Sequence, residues 1–277
     1  MARNNPSESR FAFGENWKSF SIHIDDSAID IAAASLVKLF NTNDFSGKTF
    51  LDVGCGSGLF SLAAFKMGAK VVSFDFDVDS VECTKEVRTK YAGSPSSWII
   101  EQGSILDTNY INALNSFDIV YSWGVIHHTG DLWKAFSNLV ELVNCGGVLC
   151  VAIYNDQGFK SKIWTVIKKF YNRLPRFMRP IFAWISFIGI QILSLAYHLY
   201  KFKIISYIKY VKNYKSNRGM HLFNDWLDWV GGYPYEVASA KSVNNFFIAK
   251  GFEIYDAKLV SSFGNNEFVA HRKKIKG

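Results

Sequence analysis

Acidic residues are missing from one long stretch of the sequence, between Gln157 and Asn224. The same stretch carries 13 of the 31 lysines and arginines, so that elsewhere 24 acidic residues outnumber 18 basic ones. A mildly acidic body therefore carries one strongly basic segment, and we expect that segment to favour an anionic partner.

Cysteine is also scarce, and its four positions follow no metal-binding pattern. Cys55, Cys83, Cys145 and Cys150 form no C-x-x-C pair and are not interleaved with histidines, which argues against zinc and predicts no metal site. We interpret them as free thiols in a reducing cytosol. The first ten residues contain no apolar signal core, so we expect a cytoplasmic protein.

Apolar residues, by contrast, are abundant and follow an alternating pattern of strands and helices. Such alternation predicts an α/β fold with a doubly wound, Rossmann-like sheet that is mostly parallel. A helical insertion follows the fifth strand, and a final helix and a reversed hairpin complete the sheet. The predicted strands are 48–53, 70–74, 98–101, 118–122, 147–154, 252–260 and 267–271, and the predicted helices are 27–40, 59–67, 80–91, 132–143 and 237–250.

A glycine-rich loop joins the first predicted strand to a helix. Its glycines let the backbone turn sharply and approach a ligand, and the helix N-terminus presents peptide N–H groups. Asp75 ends the next strand, where a carboxylate can accept both hydroxyls of a ribose. The loop lacks the last glycine of the dinucleotide fingerprint, and Asp52 would repel a pyrophosphate but pair with an ammonium group. The loop residues expected at the ligand are Asp52, Gly54, Gly56, Ser57 and Gly58.

The loop and Asp75 together resemble the first two motifs of the class I S-adenosylmethionine (SAM)-dependent methyltransferases, with spacing like that of the ubiquinone-biosynthesis O-methyltransferases. The resemblance covers about residues 45 to 155 and implies SAM as the cofactor. It also implies that Ser104, where the family more often has aspartate, reaches the adenine edge and that Ile105 packs on its face. The other implied contacts are those of Phe76 or Tyr121 with the adenine ring, and of Ser122 and Gly124 with the methionine end.

Groups able to accept a proton follow the fourth and fifth predicted strands. His127 and His128 come after strand four, although one of them would equally well pack or cap the next helix. Tyr154 and Asn155 end strand five, where open α/β sheets bind ligands, with an Asx turn as the alternative. Methyl transfer requires an aligned acceptor and, for a hydroxyl, removal of its proton. These four residues are therefore the catalytic candidates.

Four segments are predicted along the chain. The aromatic stretch at 13–17 would fold over the cofactor, and the aromatic and acidic cluster at 221–236 would cover the substrate or pack the insertion onto the core. Spare bases within that cluster are His221, Asp225 and Asp228. The segments are an N-terminal helical cover (1–44), the SAM-binding core (45–156), the basic, apolar insertion (157–236) and the end of the core (237–277).

The insertion contains 19 residues, 181–199, without a charged side chain, just enough to cross a bilayer. A crossing would separate the final helix and hairpin from the rest of the sheet, so we expect a helical hairpin packed on the core. Three roles remain open for residues 160–218: a lid, an interfacial element on the inner membrane surface, and a nucleic-acid groove, which we rank last.

The function expected from these features is methyl transfer from SAM to an oxygen of a small-molecule, lipid-linked or saccharide acceptor. The missing acids of the insertion favour an anionic or lipid-linked acceptor. Two alternatives remain: a tRNA-modifying SAM-dependent enzyme, and a non-catalytic SAM-binding or membrane scaffold module.

Overall fold

The computed structural model describes residues 24–212 and 222–274, which fall into two compact units. Residues 24–161 and 236–274 form the core unit, and residues 162–212 and 222–235 form the helical unit. The predicted cofactor cover at 13–17 and the spare base His221 lie outside the described residues.

The core unit contains one seven-stranded sheet. Its strands are β1 (Thr49–Val53), β2 (Lys70–Asp75), β3 (Trp98–Gln102), β4 (Phe117–Trp123), β5 (Val143–Tyr154), β6 (Phe252–Lys258) and β7 (Asn265–Arg272). The order across the sheet is β3-β2-β1-β4-β5-β7-β6. Strands β1 to β5 pair in parallel, and β7 runs antiparallel to both β5 and β6. The predicted Rossmann-like sheet with a reversed C-terminal hairpin is therefore confirmed.

Five of the described helices begin after an acid or a serine that caps them. Asp25, Asp77, Asp107, Asp131 and Ser239 each accept a peptide N–H of the first turn that follows. The helices are α1 (Asp26–Phe40), α2 (Leu59–Lys66), α3 (Val78–Ala92), α4 (Thr108–Ala113), α5 (Leu132–Glu141), α6 (Phe159–Arg173), α7 (Met178–Tyr200), α8 (Ile204–Lys212), α9 (Leu222–Gly231) and α10 (Ala240–Ala249), with a 3₁₀ turn at Ile126–His128.

Helices cover both faces of the sheet, as a doubly wound fold requires. On one face Phe136 of α5 and Phe247 of α10 are fully buried in a single apolar cluster. On the other face Leu36, Leu62 and Trp98 are fully buried in a second cluster. Burial on both faces explains why most residues of β1 and β4 are buried and apolar.

The last helix of the core begins later than the sequence predicts. The helix expected from residue 237 begins at Ala240, because Ala238 forms a parallel β-bridge with Asn155 and Ser239 caps the helix. The peptide N–H of Ala238 donates to the Tyr154 carbonyl, 3.0 Å away. An extended segment therefore lies beside the end of β5, next to the catalytic candidates Tyr154 and Asn155.

The helical unit contains most of α6 together with α7, α8 and α9. It has a small core of its own, in which Tyr171, Ala183 and Val230 are buried. Helices α7 and α8 form a hairpin, in which Tyr207 Oη donates to Gln191 Oε1 over 2.8 Å. The expected packing of this hairpin on the core stays a prediction. Among the described helices, α7 is the one long and apolar enough to cross a membrane by length and composition, with a mean hydropathy of 1.7 and only 6% of its apolar stretch buried.

Candidate functional site

The loop between β1 and α2 turns on three glycines. Gly54, Gly56 and Gly58 have φ values of +77°, +55° and +75°, which glycine alone adopts readily. A Cβ atom at Gly54 would lie 2.4 Å from Cγ1 of Val125, and one at Gly58 would lie 2.7 Å from Cγ2 of Thr84. The segment after β4 and helix α3 therefore close directly on the loop, and a side chain would push them away.

Asp75 fastens this loop from the end of β2. Its Oδ2 accepts the peptide N–H of Gly56 over 3.0 Å, and its Oδ1 accepts that of Asp77 over 2.9 Å. A carboxylate oxygen can accept more than one hydrogen bond, so this geometry is compatible with additional bonds from two vicinal hydroxyls. Burial raises the pKa of Asp75 to about 6, against the lowering effect of the peptide N–H groups.

Asp52 lies at the end of a buried hydrogen-bond chain. Trp98 Nε1 donates to Ser73 Oγ over 2.9 Å, the hydroxyls of Ser73 and Ser61 are 2.7 Å apart, and Ser61 donates to Asp52 over 2.5 Å. Burial, and then the charge of Asp75, raise the pKa of Asp52 to about 7, while the Ser61 bond lowers it. The sequence analysis missed this chain, although a serine within the apolar β2 was a signal for it.

The residues predicted at the adenine occupy different environments. Phe76 follows Asp75 with its side chain exposed, and its carbonyl accepts Gln102 Nε2 over 3.2 Å. Ile105 is buried in the core cluster, and Ser104 Oγ accepts the Leu106 peptide N–H over 3.2 Å. Tyr121, the alternative stacking ring, is buried and packs on Phe50, Phe60 and Trp123. Phe76 is therefore the accessible ring of the two.

The residues predicted at the methionine end also differ in accessibility. Ser122 is completely buried, and its hydroxyl donates to the Val53 carbonyl over 3.3 Å, which ties β4 to the end of β1. Gly124 has a φ of +76°, and a Cβ there would meet no atom within 4 Å. Ser57 is buried inside the glycine loop. Open space therefore borders Gly124 and not the Ser122 hydroxyl.

His127, His128 and Tyr154 form one aromatic cluster at the ends of β4 and β5. The rings of His127 and Tyr154 stack with centroids 3.8 Å apart, and His128 packs edge-on at 4.5 Å from His127 and 5.4 Å from Tyr154. His127 is buried, whereas His128 and Tyr154 are half-buried. The structure thus brings three of the four catalytic candidates together.

Asn155, the fourth candidate, holds the loop between β6 and β7. Its Nδ2 donates to the carbonyls of Val260 and Ser262 over 2.9 and 3.3 Å, and its Oδ1 accepts Asn266 Nδ2 over 3.1 Å. Both amide hydrogens are therefore engaged in positioning this loop. The structure gives Asn155 a structural task, and its catalytic role stays a prediction.

Glu236 is a site residue that the sequence analysis missed. Its carboxylate accepts the peptide N–H groups of Gly130 and Leu132, each over 3.0 Å, and its own N–H donates to the His127 carbonyl over 2.9 Å. Burial raises the pKa of Glu236, and the two peptide N–H groups oppose that rise. Glu236 therefore fixes both ends of the segment that carries His127 and His128.

Trp226, from the predicted aromatic cluster at 221–236, packs within the helical unit. Trp226 Nε1 donates to Ser186 Oγ over 3.1 Å and to the Ala183 carbonyl over 3.2 Å. Asp225 is half-buried on α9, and the Asp228 side chain lies outside the described part of the structure. Throughout residues 24–212 and 222–274, no three His, Cys, Asp or Glu side chains are grouped to hold a metal ion, and all four cysteines are free thiols.

Comparison with known proteins identifies a family for this chain. A "Methyltransferase domain" family profile matches residues 44–184. An uncharacterized methyltransferase of Mycobacterium tuberculosis is 31% identical over 41% of this chain and 54% of its own, and a ubiquinone biosynthesis O-methyltransferase of Coxiella burnetii is 30% identical over 54% and 66%. The chain spans about half the length of the first of these curated relatives.

A solved structure shares the fold of this chain. Magnesium protoporphyrin IX methyltransferase from Synechocystis, crystallised with bound SAH, superposes with a TM-score of 0.55 at 14% identity, covering 94% of each chain. The residues present fit SAM: the glycine loop offers a side-chain-free surface, Asp75 has acceptor capacity for a ribose, and open space borders Gly124. With the family profile covering half of the sequence, the chain belongs to the class I SAM-dependent methyltransferases.

Proposed function

We propose that this protein transfers the methyl group of SAM to an oxygen of a small-molecule, lipid-linked or saccharide acceptor. The observation that carries the proposal is the position of the His127–His128–Tyr154 cluster. It stands at the carboxyl ends of β4 and β5, on the same sheet edge as the glycine loop and Asp75. Open α/β sheets bind their ligands at this edge.

One short backbone segment links the glycine loop of the cofactor site to the candidate bases. Val125, which closes on Gly54, comes three residues before His128 in one short segment that Glu236 fixes. Bound SAM supplies a methyl group on a positively charged sulfur, so the protein itself need only align the acceptor and take up its proton. The half-buried His128 imidazole is our proposed base for a hydroxyl acceptor, with Tyr154 beside it.

Two observations support an oxygen acceptor that carries an anionic group. The Coxiella relative is a ubiquinone biosynthesis O-methyltransferase, whose name describes O-methylation in that protein. The acid-free, basic stretch would favour an anionic group on the acceptor. Free thiols and this basic stretch also support a cytoplasmic location, peripheral on the inner membrane surface.

The proposal is tested with isotope-labelled SAM and fractionated cell extract. We expect label to enter the lipid or small-molecule fraction, and the ¹³C shift of the transferred methyl to identify oxygen as its new partner. Label on nitrogen or carbon would reject O-methylation while keeping methyl transfer. SAM binding without label transfer to any fraction would favour the non-catalytic scaffold.

A tRNA-modifying enzyme is the second candidate, because exposed lysines alternate with tyrosines on α8, as at Lys209 and Tyr210. This alternative predicts ribonuclease-sensitive label and salt-dependent retention of tRNA. Absence of tRNA retention at low salt would remove it.

A further inference from the structure

Helix α7 presents an unbroken apolar stripe to solvent. Ile181, Ile185, Ile188, Ile192 and Leu199 recur at helical spacing and are between 52% and 67% exposed. The other side of the helix packs within its unit through Ala183, which is fully buried. Contiguous apolar surface of this length is rare on a soluble protein and marks an interaction surface.

The apolar surface continues onto α8. Ile205 and Ile208 are 67% and 57% exposed, and Val211 follows at 41%. The two helices form the hairpin joined by the Tyr207–Gln191 hydrogen bond, so both stripes belong to one unit. We call these two exposed faces, with the turn between them, the hairpin surface.

An exposed phenylalanine occupies the turn of this hairpin in a conformation that disfavours it. Phe202 has a φ of +55° and is 96% exposed. The N–H of Phe202 donates to the Leu199 carbonyl and the N–H of Lys203 to the His198 carbonyl, which is the Schellman pattern that usually ends on glycine. A side chain in the left-handed region is unfavourable, so fold stability does not explain a phenylalanine here.

Basic side chains flank the turn of the hairpin surface and continue along α8. Lys201 and Lys203 flank Phe202, and Lys209 and Lys212 follow on α8, all of them exposed. The sequence between Gln157 and Asn224 contains no acid to neutralise them. Apolar side chains bordered by lysines are complementary to the acyl boundary and headgroups of an anionic bilayer.

We propose that the hairpin surface docks on an anionic lipid bilayer, with α7 in the plane of one leaflet and the Phe202 ring inserted between Lys201 and Lys203. A membrane crossing by α7 alone fits the fold poorly, because β5 before it and β7 after it are neighbours in one sheet. The proposal concerns membrane attachment and does not depend on which acceptor is methylated.

Sedimentation of the full-length protein with vesicles tests the docking. We expect binding to vesicles of phosphatidylcholine with phosphatidylglycerol, and at least about tenfold weaker binding to phosphatidylcholine alone. The paired substitutions Ile185→Asn and Ile192→Asn should weaken binding by about tenfold or more. Ile31→Asn with Ile248→Asn is the matched control, since these isoleucines are 66% and 64% exposed on the core unit.

Phe202→Gly separates docking from folding. Glycine relieves the left-handed backbone, so the melting temperature should stay level or rise by about 2 °C. Vesicle binding should nevertheless fall by about tenfold, because an inserted ring is lost. A purely structural role for Phe202 would leave vesicle binding unchanged and overturn its insertion.

Two outcomes would overturn the surface as a whole. Failure to bind either type of vesicle would reject docking of the hairpin surface on a bilayer. A dimer that forms without lipid and that Ile185→Asn dissociates would also reject it, since a second copy of the chain would then cover α7. SAM binding is measured by calorimetry on the same samples. A protein that binds SAM but not vesicles contradicts the docking alone, whereas loss of SAM binding contradicts the proposed function.

Discussion

The peptide N–H of Tyr154 donates a hydrogen bond to Nδ1 of His127 over 3.2 Å, while the two rings stack against each other. Because Nδ1 accepts this bond, the neutral His127 ring carries its proton on Nε2. Its basic nitrogen is therefore already engaged by the end of β5. The half-buried His128 is the better placed histidine to take a proton from an acceptor.

This relationship predicts different consequences for the two histidines. His128→Ala should lower the rate of methyl transfer by about 100-fold or more, the usual contribution of a general base, with SAM affinity unchanged. His127→Ala should lower the melting temperature, because it removes a buried stacked ring. Rates of label transfer, SAM calorimetry and thermal unfolding separate these effects, and an unchanged rate in His128→Ala would exclude it as the base.

Asp75 should dominate recognition of the SAM ribose. Asp75→Ala would remove the carboxylate that can accept the ribose hydroxyls, together with its hydrogen bond to the Gly56 peptide N–H, so we expect at least about 100-fold weaker SAM binding by calorimetry. Glu82→Ala is the control, because Glu82 makes a solvent-exposed pair with Lys85. Equal SAM affinity in both variants would contradict the assignment of Asp75 to the ribose of SAM.

The raised pKa values of Asp52 and Asp75 predict a pH dependence with a definite sign. Both exceed the ordinary value of 3.8, at about 7 and about 6, so near pH 6 the free protein holds protons that a positively charged cofactor displaces. SAM affinity should rise between pH 5 and about 7 and then level off. At pH 6 the binding enthalpy should vary with the ionisation enthalpy of the buffer.

The same groups act on stability in the opposite direction. The folded protein retains protons that the unfolded chain releases, so their contribution to the free energy of unfolding is full below about pH 4 and is lost as pH rises towards 7. Asp52→Asn should flatten this fall relative to the parent protein. Parallel pH profiles of the two proteins would contradict the burial of an ionisable Asp52.

Gly54 allows backbone strain to be separated from steric exclusion. Gly54→Ala meets both a positive φ and Val125, whereas Gly47→Ala meets a φ of +75° with no atom within 4 Å. We expect about 1–2 kcal/mol of destabilisation at Gly47 and clearly more at Gly54. Adding Val125→Ala should recover the difference, measured by chemical unfolding; no recovery would show that Val125 is not the obstacle.

The sheet was predictable because its signals are local. Apolar runs of five or six residues, each followed by glycine or an acid, placed β1 and β2 within one residue of their observed bounds. The six-residue helix α4 was missed, since so short a segment shows little periodicity. Residues 237–239 were misassigned to a helix because their partner in the bridge is Asn155, far away in the sequence.

The candidate site was predictable only where residue type alone determines geometry. Gly54 and Gly58 require glycine, and that requirement is visible in the sequence. Asn155 resembled a ligand-binding polar residue, but its partners lie at 260–266 and only the folded hairpin brings them near. Glu236 gave no signal either, because it caps a segment more than 100 residues earlier.

The bridge between Asn155 and Ala238 brings together two core residues that flank the helical unit in the sequence, since paired backbones lie about 4.8 Å apart. In topological terms the whole unit is an enlarged connection between β5 and α10, and a turn of a few residues would close the same gap. Such an arrangement allows the helical unit to be replaced during evolution by another connection of different length. The sheet and its glycine loop can therefore stay constant while this connection changes in length and sequence.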